Sequence, residues 1–117
     1  MFTLHLPERP FRAIQKGTKK IEGRSPDSKD NKYKKMKAGD ILLFEHEKTG
    51  EKLETEILFV HHYPDTKSML MAEGVENILS SKLKTIEHGI ESYNSISDYK
   101  ERILKFGIYA IGIKPIK

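Results

Sequence analysis

The stretch Gly17-Thr18-Lys19-Lys20-Ile21-Glu22-Gly23-Arg24 decides how the rest of this chain is read. It places three cations and one acid around a single large apolar side chain, and it reads as a strand entered from a short helix. Upstream, Pro10 sits where a first helical turn tolerates proline, Phe11 and Ile14 fall three apart on one face, and Gly17 supplies a left-handed cap. Before that helix, Phe2, Leu4 and Leu6 alternate with polar residues as a first strand requires, and Pro7 ends it. In a regular strand Lys20, Glu22 and Arg24 share one face while Lys19 points with Ile21. Lys19 joins Glu22 only if a bulge re-aims it or the strand starts late after Gly17.

Working outward, residues Ser25 to Ala38 form a lysine-rich loop with one helical turn, in which Tyr33 and Met36 are the large apolar residues. A turn at Ala38-Gly39-Asp40 leads into a strand from Ile41 to Glu45. After a second turn, Lys52 to Tyr63 is a long strand with Leu53, Thr55, Ile57, Phe59 and His61 on one face. Glu54, Glu56, Leu58, Val60 and His62 take the other, with His61 partly buried and His62 exposed. Pro64 stops it, Asp65 or Thr66 caps a helix through Ala72, and Gly74 closes that helix. Val75 to Leu79 reads as a second short helix, and Lys82 to Gly89 fits no one pattern. Ser95 to Asp98 opens a helix in which Ile96, Tyr99, Ile103 and Phe106 recur at helical spacing, ended by Gly107. Ile108 to Ile113, apolar on both faces, is a central strand, and Gly112 within it marks a close backbone approach or a bend. The strands before the helical insert are expected to pair antiparallel, and the last to return and join them. The fold class is therefore α+β, a small curled β-barrel of about five strands with peripheral helices.

The 117 residues suit a single domain spanning 1–117 with one closed core. Cysteine is absent, which excludes disulfides, thiolate metal sites and a cysteine nucleophile. The five histidines show no metal-ligand spacing, so neither a metal nor another cofactor is expected. No run approaches a membrane span, and Met1 to Leu6 lacks the basic and apolar regions of a signal peptide, so the expected location is the cytoplasm, without a membrane partner. The net charge of +4 is unevenly spread: Lys16 to Lys37 holds nine basic residues against three acids, a local +6. Such a segment either attracts phosphates or is a solvated loop.

The run Leu4-His5-Leu6, Pro10-Phe11, Ile14, Gly17-x-Lys19-x-x-Glu22-x-Arg24, Lys37-x-Gly39-Asp40-Ile41 and Phe44 resembles the ASCH domain family of the PUA-like superfamily. Farther on, Glu73-Gly74-Val75-Glu76 and the segment from Tyr93 through Ile111 continue it over essentially the whole chain. The resemblance implies a PUA-like barrel with a cleft beside it, in which Lys19, Glu22 and Arg24 lie. It also implies RNA or a nucleotide as partner. Hydrolytic members acting on N4-acylated cytidines are similar at Lys19 but carry a threonine nucleophile where this chain has Glu22, and their catalytic acid corresponds to Glu76. A ribonuclease activity is attributed to the family as well.

Several functions remain open at this level. As a binding module for RNA or a nucleotide, the chain would use Lys19, Lys20, Glu22 and Arg24 in the cleft, with Lys32, Lys34 and Lys35 adding nonspecific attraction. As a hydrolase it would need Lys19, Glu22 and Glu76, with a Lys19–Glu76 pair activating water because no acyl-enzyme forms through a carboxylate at position 22. A metal-assisted ribonuclease with Glu22 as a ligand is a variant of this. As a protein-interaction or regulatory domain, the chain would keep the charged motif as a half-exposed cross-strand ion pair. The oligomeric state is unspecified, with a monomer as default.

Overall fold

The computed structural model describes residues 1–116. Its sheet comprises β1 (Phe2–Leu6), β2 (Ile21–Arg24), β3 (Ile41–His46), β4 (Lys52–Tyr63) and β5 (Ile108–Pro115), in the spatial order β1-β3-β4-β5-β2. Helices α1 (Glu8–Lys16), α2 (Thr66–Glu73), α3 (Val75–Ile78), α4 (Ile86–Asn94) and α5 (Tyr99–Phe106) surround it, and a 3₁₀ turn spans Lys32–Lys35. The result is α+β, a five-stranded curled half-barrel of PUA-like type. The central position expected for β5 holds: it lies between β4 and β2, and Ile108 to Ile113 are all buried. The sheet does not close, because β1 and β2 are edges.

One pairing differs from expectation. β1 pairs with β3 in parallel, Leu4 opposite Phe44, whereas the early strands were expected to be antiparallel. The chain between them runs through α1 and out to β2 at the far edge. A connection that long permits a parallel return.

The face assignment of β4 is also corrected. A register shift between Ile57 and Phe59 leaves Leu58 as a bulge. One extra residue exchanges the two faces beyond it. Ile57 and Val60 therefore belong to one layer, while Phe59 and Tyr63 belong to the other. His61 and His62 are both exposed, and His62 rather than His61 is on the side of Tyr109, its ring 4.6 Å away.

The sheet is covered on both faces. The concave side encloses Leu4, Leu6, Leu42, Phe44, Ile57 and Ile111, plugged by Phe11 and Ile14 of α1 and by Tyr33 and Met36 of the lysine-rich loop. The other side packs Ile21, Ile108 and Ala110 against Met69, Leu70, Ile78, Tyr93, Tyr99 and Ile103 from α2 to α5. Helix α2 is capped as expected: Asp65 accepts from the Ser68 N–H at 2.8 Å. Helix α4 begins inside the Lys82–Gly89 stretch that matched no pattern and runs on to Asn94. Its buried residues are Gly89 and Tyr93, with Ile86 and Ile90 packed beside them, and a Cβ at Gly89 would stand 2.5 Å from Leu70 Cδ1. Ile86, Ile90 and Tyr93 carry the helical period, which continues past Gly89 where the ambiguous stretch ended. Helix α5 starts at Tyr99, not at Ser95, and Ile96 is exposed, lining a cleft instead of the core.

Candidate functional site

The open seam between β1 and β2 is a cleft of about 400 Å³, bounded by His5 and Leu6 on one side and by Lys19, Glu22, Gly23 and Arg24 on the other. Gly17, at φ 85°, closes α1 with its N–H on the Ile14 carbonyl, and Thr18 and Lys19 both return N–H groups to Ala13. This coiled exit delays the strand until Ile21. The late start satisfies the condition that regular alternation denied, and Lys19 swings round to Glu22, with Nζ 3.4 Å from Oε1.

Lys19, Glu22 and Arg24 form a buried charged row. Lys19 and Glu22 are 5% and 6% exposed. Lys19 Nζ also donates to the carbonyls of Ile21, at 2.9 Å, and Ile78. An ammonium has three protons, and three acceptors surround this one. Arg24 Nε donates to Glu22 Oε2 at 2.6 Å, and Nη2 donates to the His5 carbonyl at 2.8 Å. Each oxygen of Glu22 therefore faces a different cation.

The electrostatics follow from this crowding. Burial pushes the Glu22 carboxyl up, but attraction to Arg24 and then Lys19 outweighs it, and the group is held below the ordinary carboxylate value. Burial pushes the Lys19 ammonium down, and the adjacent Glu22 only partly restores it. Arg24, opposed by burial but paired with Glu22, is raised further above the ordinary range. An ammonium and a guanidinium thus converge on the single carboxylate of Glu22 at the cleft wall.

Two buried tyrosines line the same cleft beside this row. Tyr93 and Tyr99 lie nearly parallel, centroids 6.5 Å apart with 9° between planes. Gly23 is what admits Tyr93: a Cβ there would stand 2.3 Å from the Tyr93 hydroxyl and 3.1 Å from Met69 Cε. Burial, and then the nearby Glu22 charge, push the Tyr93 phenol well above its ordinary value, so it stays protonated.

Other residues singled out by sequence lie elsewhere. Glu76, on α3, is exposed and does not line the cleft, so Lys19 and Glu76 are not brought together. Lys20 is exposed and lines a separate groove. Lys32, Lys34 and Lys35 are exposed on the 3₁₀ turn, with Tyr33 between them turned inward, its ring 5.6 Å from Tyr109. Among the described residues, no three His, Asp or Glu side chains converge as a metal site, and no helix is long and apolar enough to cross a membrane. Sequence reasoning missed the carbonyls of His5, Ile21 and Ile78. Backbone acceptors carry no residue identity, so no signal could have marked them.

The ASCH domain family model matches residues 4–117. The fold is shared with the crystal structure of hypothetical protein PH0355, at 37% identity over 98% of each chain and a TM-score of 0.83. It is shared also with the solution NMR structure of protein PF0455 from Pyrococcus furiosus, at 34% identity, covering 99% of this chain and 97% of that one, with a TM-score of 0.75. No curated protein matches this chain.

Proposed function

Since the chain belongs to the ASCH domain family, we propose that it is an RNA- or nucleotide-binding module whose seam cleft holds one base or nucleotide. The observation that carries this reading is the buried Lys19–Glu22–Arg24 row, which lines one cleft together with Tyr93 and Tyr99. The tyrosine edges and Ile96 in the cleft offer an apolar surface for a planar base, and the Arg24 guanidinium favours the attached phosphate. Binding is favoured over hydrolysis because Lys19 is surrounded by internal acceptors and Glu22 is ionised with both oxygens engaged. Both groups are taken up by partners within the protein and so are turned away from a bound substrate. Glu76 lies outside the cleft and supplies no replacement.

Fluorescence anisotropy with a short single-stranded RNA, a DNA of the same sequence and free nucleotides tests this. Affinity for RNA should fall with salt, with a log–log slope of about −0.7 per phosphate neutralised. Arg24→Lys, assayed below its unfolding transition, should weaken nucleotide and RNA alike. Exchanging Lys32, Lys34 and Lys35 for glutamine should flatten the salt slope for RNA and leave the free nucleotide's affinity unchanged. Failure of all three ligand classes to bind at low salt would refute the reading.

A further inference from the structure

The charged residues that line the cleft fall into two groups. Within the buried row, Lys19 has three internal acceptors and each Glu22 oxygen has a cation, while Arg24 commits Nε to Glu22 and Nη2 to the His5 carbonyl. Arg9 of α1 and Glu47 of the turn between β3 and β4 line the same cleft and are exposed. Neither of these side chains makes an ion pair or a hydrogen bond among the described residues. The tyrosines and Ile96 come from a different part of the chain, the helical segment between β4 and β5.

The backbone beneath Arg9 and Glu47 is held by one buried ring. His46, 3% exposed, accepts at Nδ1 from the N–H groups of Lys48, at 3.1 Å, and Thr49, at 3.3 Å. These two donors make Nε2 the protonated nitrogen, and it lies 2.8 Å from Glu8 Oε1. Phe11 packs edge-on against the ring, centroids 5.3 Å apart. Glu8 precedes Arg9 and His46 precedes Glu47, so this one contact sets the start of α1 against the turn. The Glu47 N–H adds a second tie, to the Leu6 carbonyl at 2.9 Å. An uncommitted cation and an uncommitted carboxylate therefore stand on adjoining, fixed backbone beside the cleft, and they do not pair with each other.

Resting on the reading of this cleft as a nucleotide site, we propose that its ligand is a ribonucleotide, with Glu47 accepting from the ribose hydroxyls and Arg9 joining Arg24 on the phosphate. An ionised carboxylate only accepts hydrogen bonds. The donors of a nucleotide nearest its phosphate are the sugar hydroxyls, and the 2′-hydroxyl is the one that deoxyribose lacks. The amino groups of the bases travel with the ring, whose apolar surface is offered by other elements, at Tyr93, Ile96 and Tyr99. A guanidinium fork matches a phosphate. A ligand that carries an anion next to hydroxyl donors engages Arg9 and Glu47 together, whereas a purely acidic or purely basic partner engages one and is repelled by the other.

Calorimetric titration of the full chain at low salt tests this, with ribonucleoside 5′-monophosphates, their 2′-deoxy counterparts, and a short RNA and DNA of one sequence. Each ribose form should bind about ten-fold tighter than its deoxyribose form, whatever the base. Glu47→Ala should bring the ribonucleotides down to the affinity of the deoxyribonucleotides. Arg9→Ala should weaken both sugar forms about ten-fold and keep the ribose preference. Both changes fall at exposed positions with no partner to lose, so an unchanged urea midpoint separates a lost contact from a lost fold. Equal affinity for ribose and deoxyribose forms in the parent would overturn the assignment and leave the nucleotide-binding reading standing. So would a Glu47→Ala variant that changes the choice of base in place of the choice of sugar. If none of these ligands binds, the nucleotide-binding reading itself fails, and this assignment fails with it.

Discussion

Arg24 Nη2 donates to the His5 carbonyl at 2.8 Å, and through this one contact a side chain joins the two edges of the sheet, β2 and β1, that no backbone ladder connects. The same guanidinium holds Glu22 through Nε at 2.6 Å. The planar fork lets a single residue bridge a carboxylate on its own strand and a carbonyl on another. The half-barrel is latched across its seam by the group that also charges the cleft.

Removing the latch should cost stability as well as charge. Arg24→Ala leaves Glu22 buried with Lys19 as its remaining cation, and loss of one member of a buried ion pair costs about 3 kcal/mol. Arg24→Lys should recover only part of this, since an ammonium lacks the fork that reaches Glu22 and His5 together. Urea unfolding measures both, and a midpoint equal to the parent's in Arg24→Ala would show that the seam is held by other contacts.

Gly23 should tolerate no side chain while Tyr93 is present. Gly23→Ala puts a methyl group 2.3 Å from the Tyr93 hydroxyl and 2.9 Å from its Cζ. Overpacking of this kind costs about 1–3 kcal/mol. Tyr93→Phe removes the nearest atom but not Cζ, so the double variant should be less destabilised than the sum of the two single changes. A thermal-denaturation cycle reads this coupling, and strict additivity would contradict the contact.

Glu22 should make stability fall in acid. Its carboxyl is held below the ordinary 4.5 in the folded chain: burial raises it, but Arg24 and Lys19 together lower it by more. The unfolded chain therefore takes up the proton first, and stability rises with pH wherever that holds. The contribution is complete above the unfolded value and is lost as pH falls through the lower folded one. Glu22→Gln should be less stable than the parent at neutral pH, with a flatter curve below about pH 5. The lowered groups Glu8, Glu51 and Asp65 remain in the variant and contribute the residual slope. An unchanged slope would mean that Glu22 does not titrate against folding.

Much of this protein was determined by sequence alone. The order of strands and helices, the caps at Gly17 and Asp65, the central β5 and the family motif all rest on local patterning, turn chemistry and short spacings, which act between near neighbours in the chain. Tertiary structure decided what depends on distant partners. A bulge at Leu58 exchanged the faces of β4, a glycine at position 89 became a core contact, and β1 found β3 in parallel because the intervening chain runs to the far edge. At the site, sequence named Lys19, Glu22 and Arg24, but their protonation and purpose depend on carbonyls at His5, Ile21 and Ile78. Those acceptors belong to the backbone, identical at every residue, and only folding selects which of them meet a buried cation.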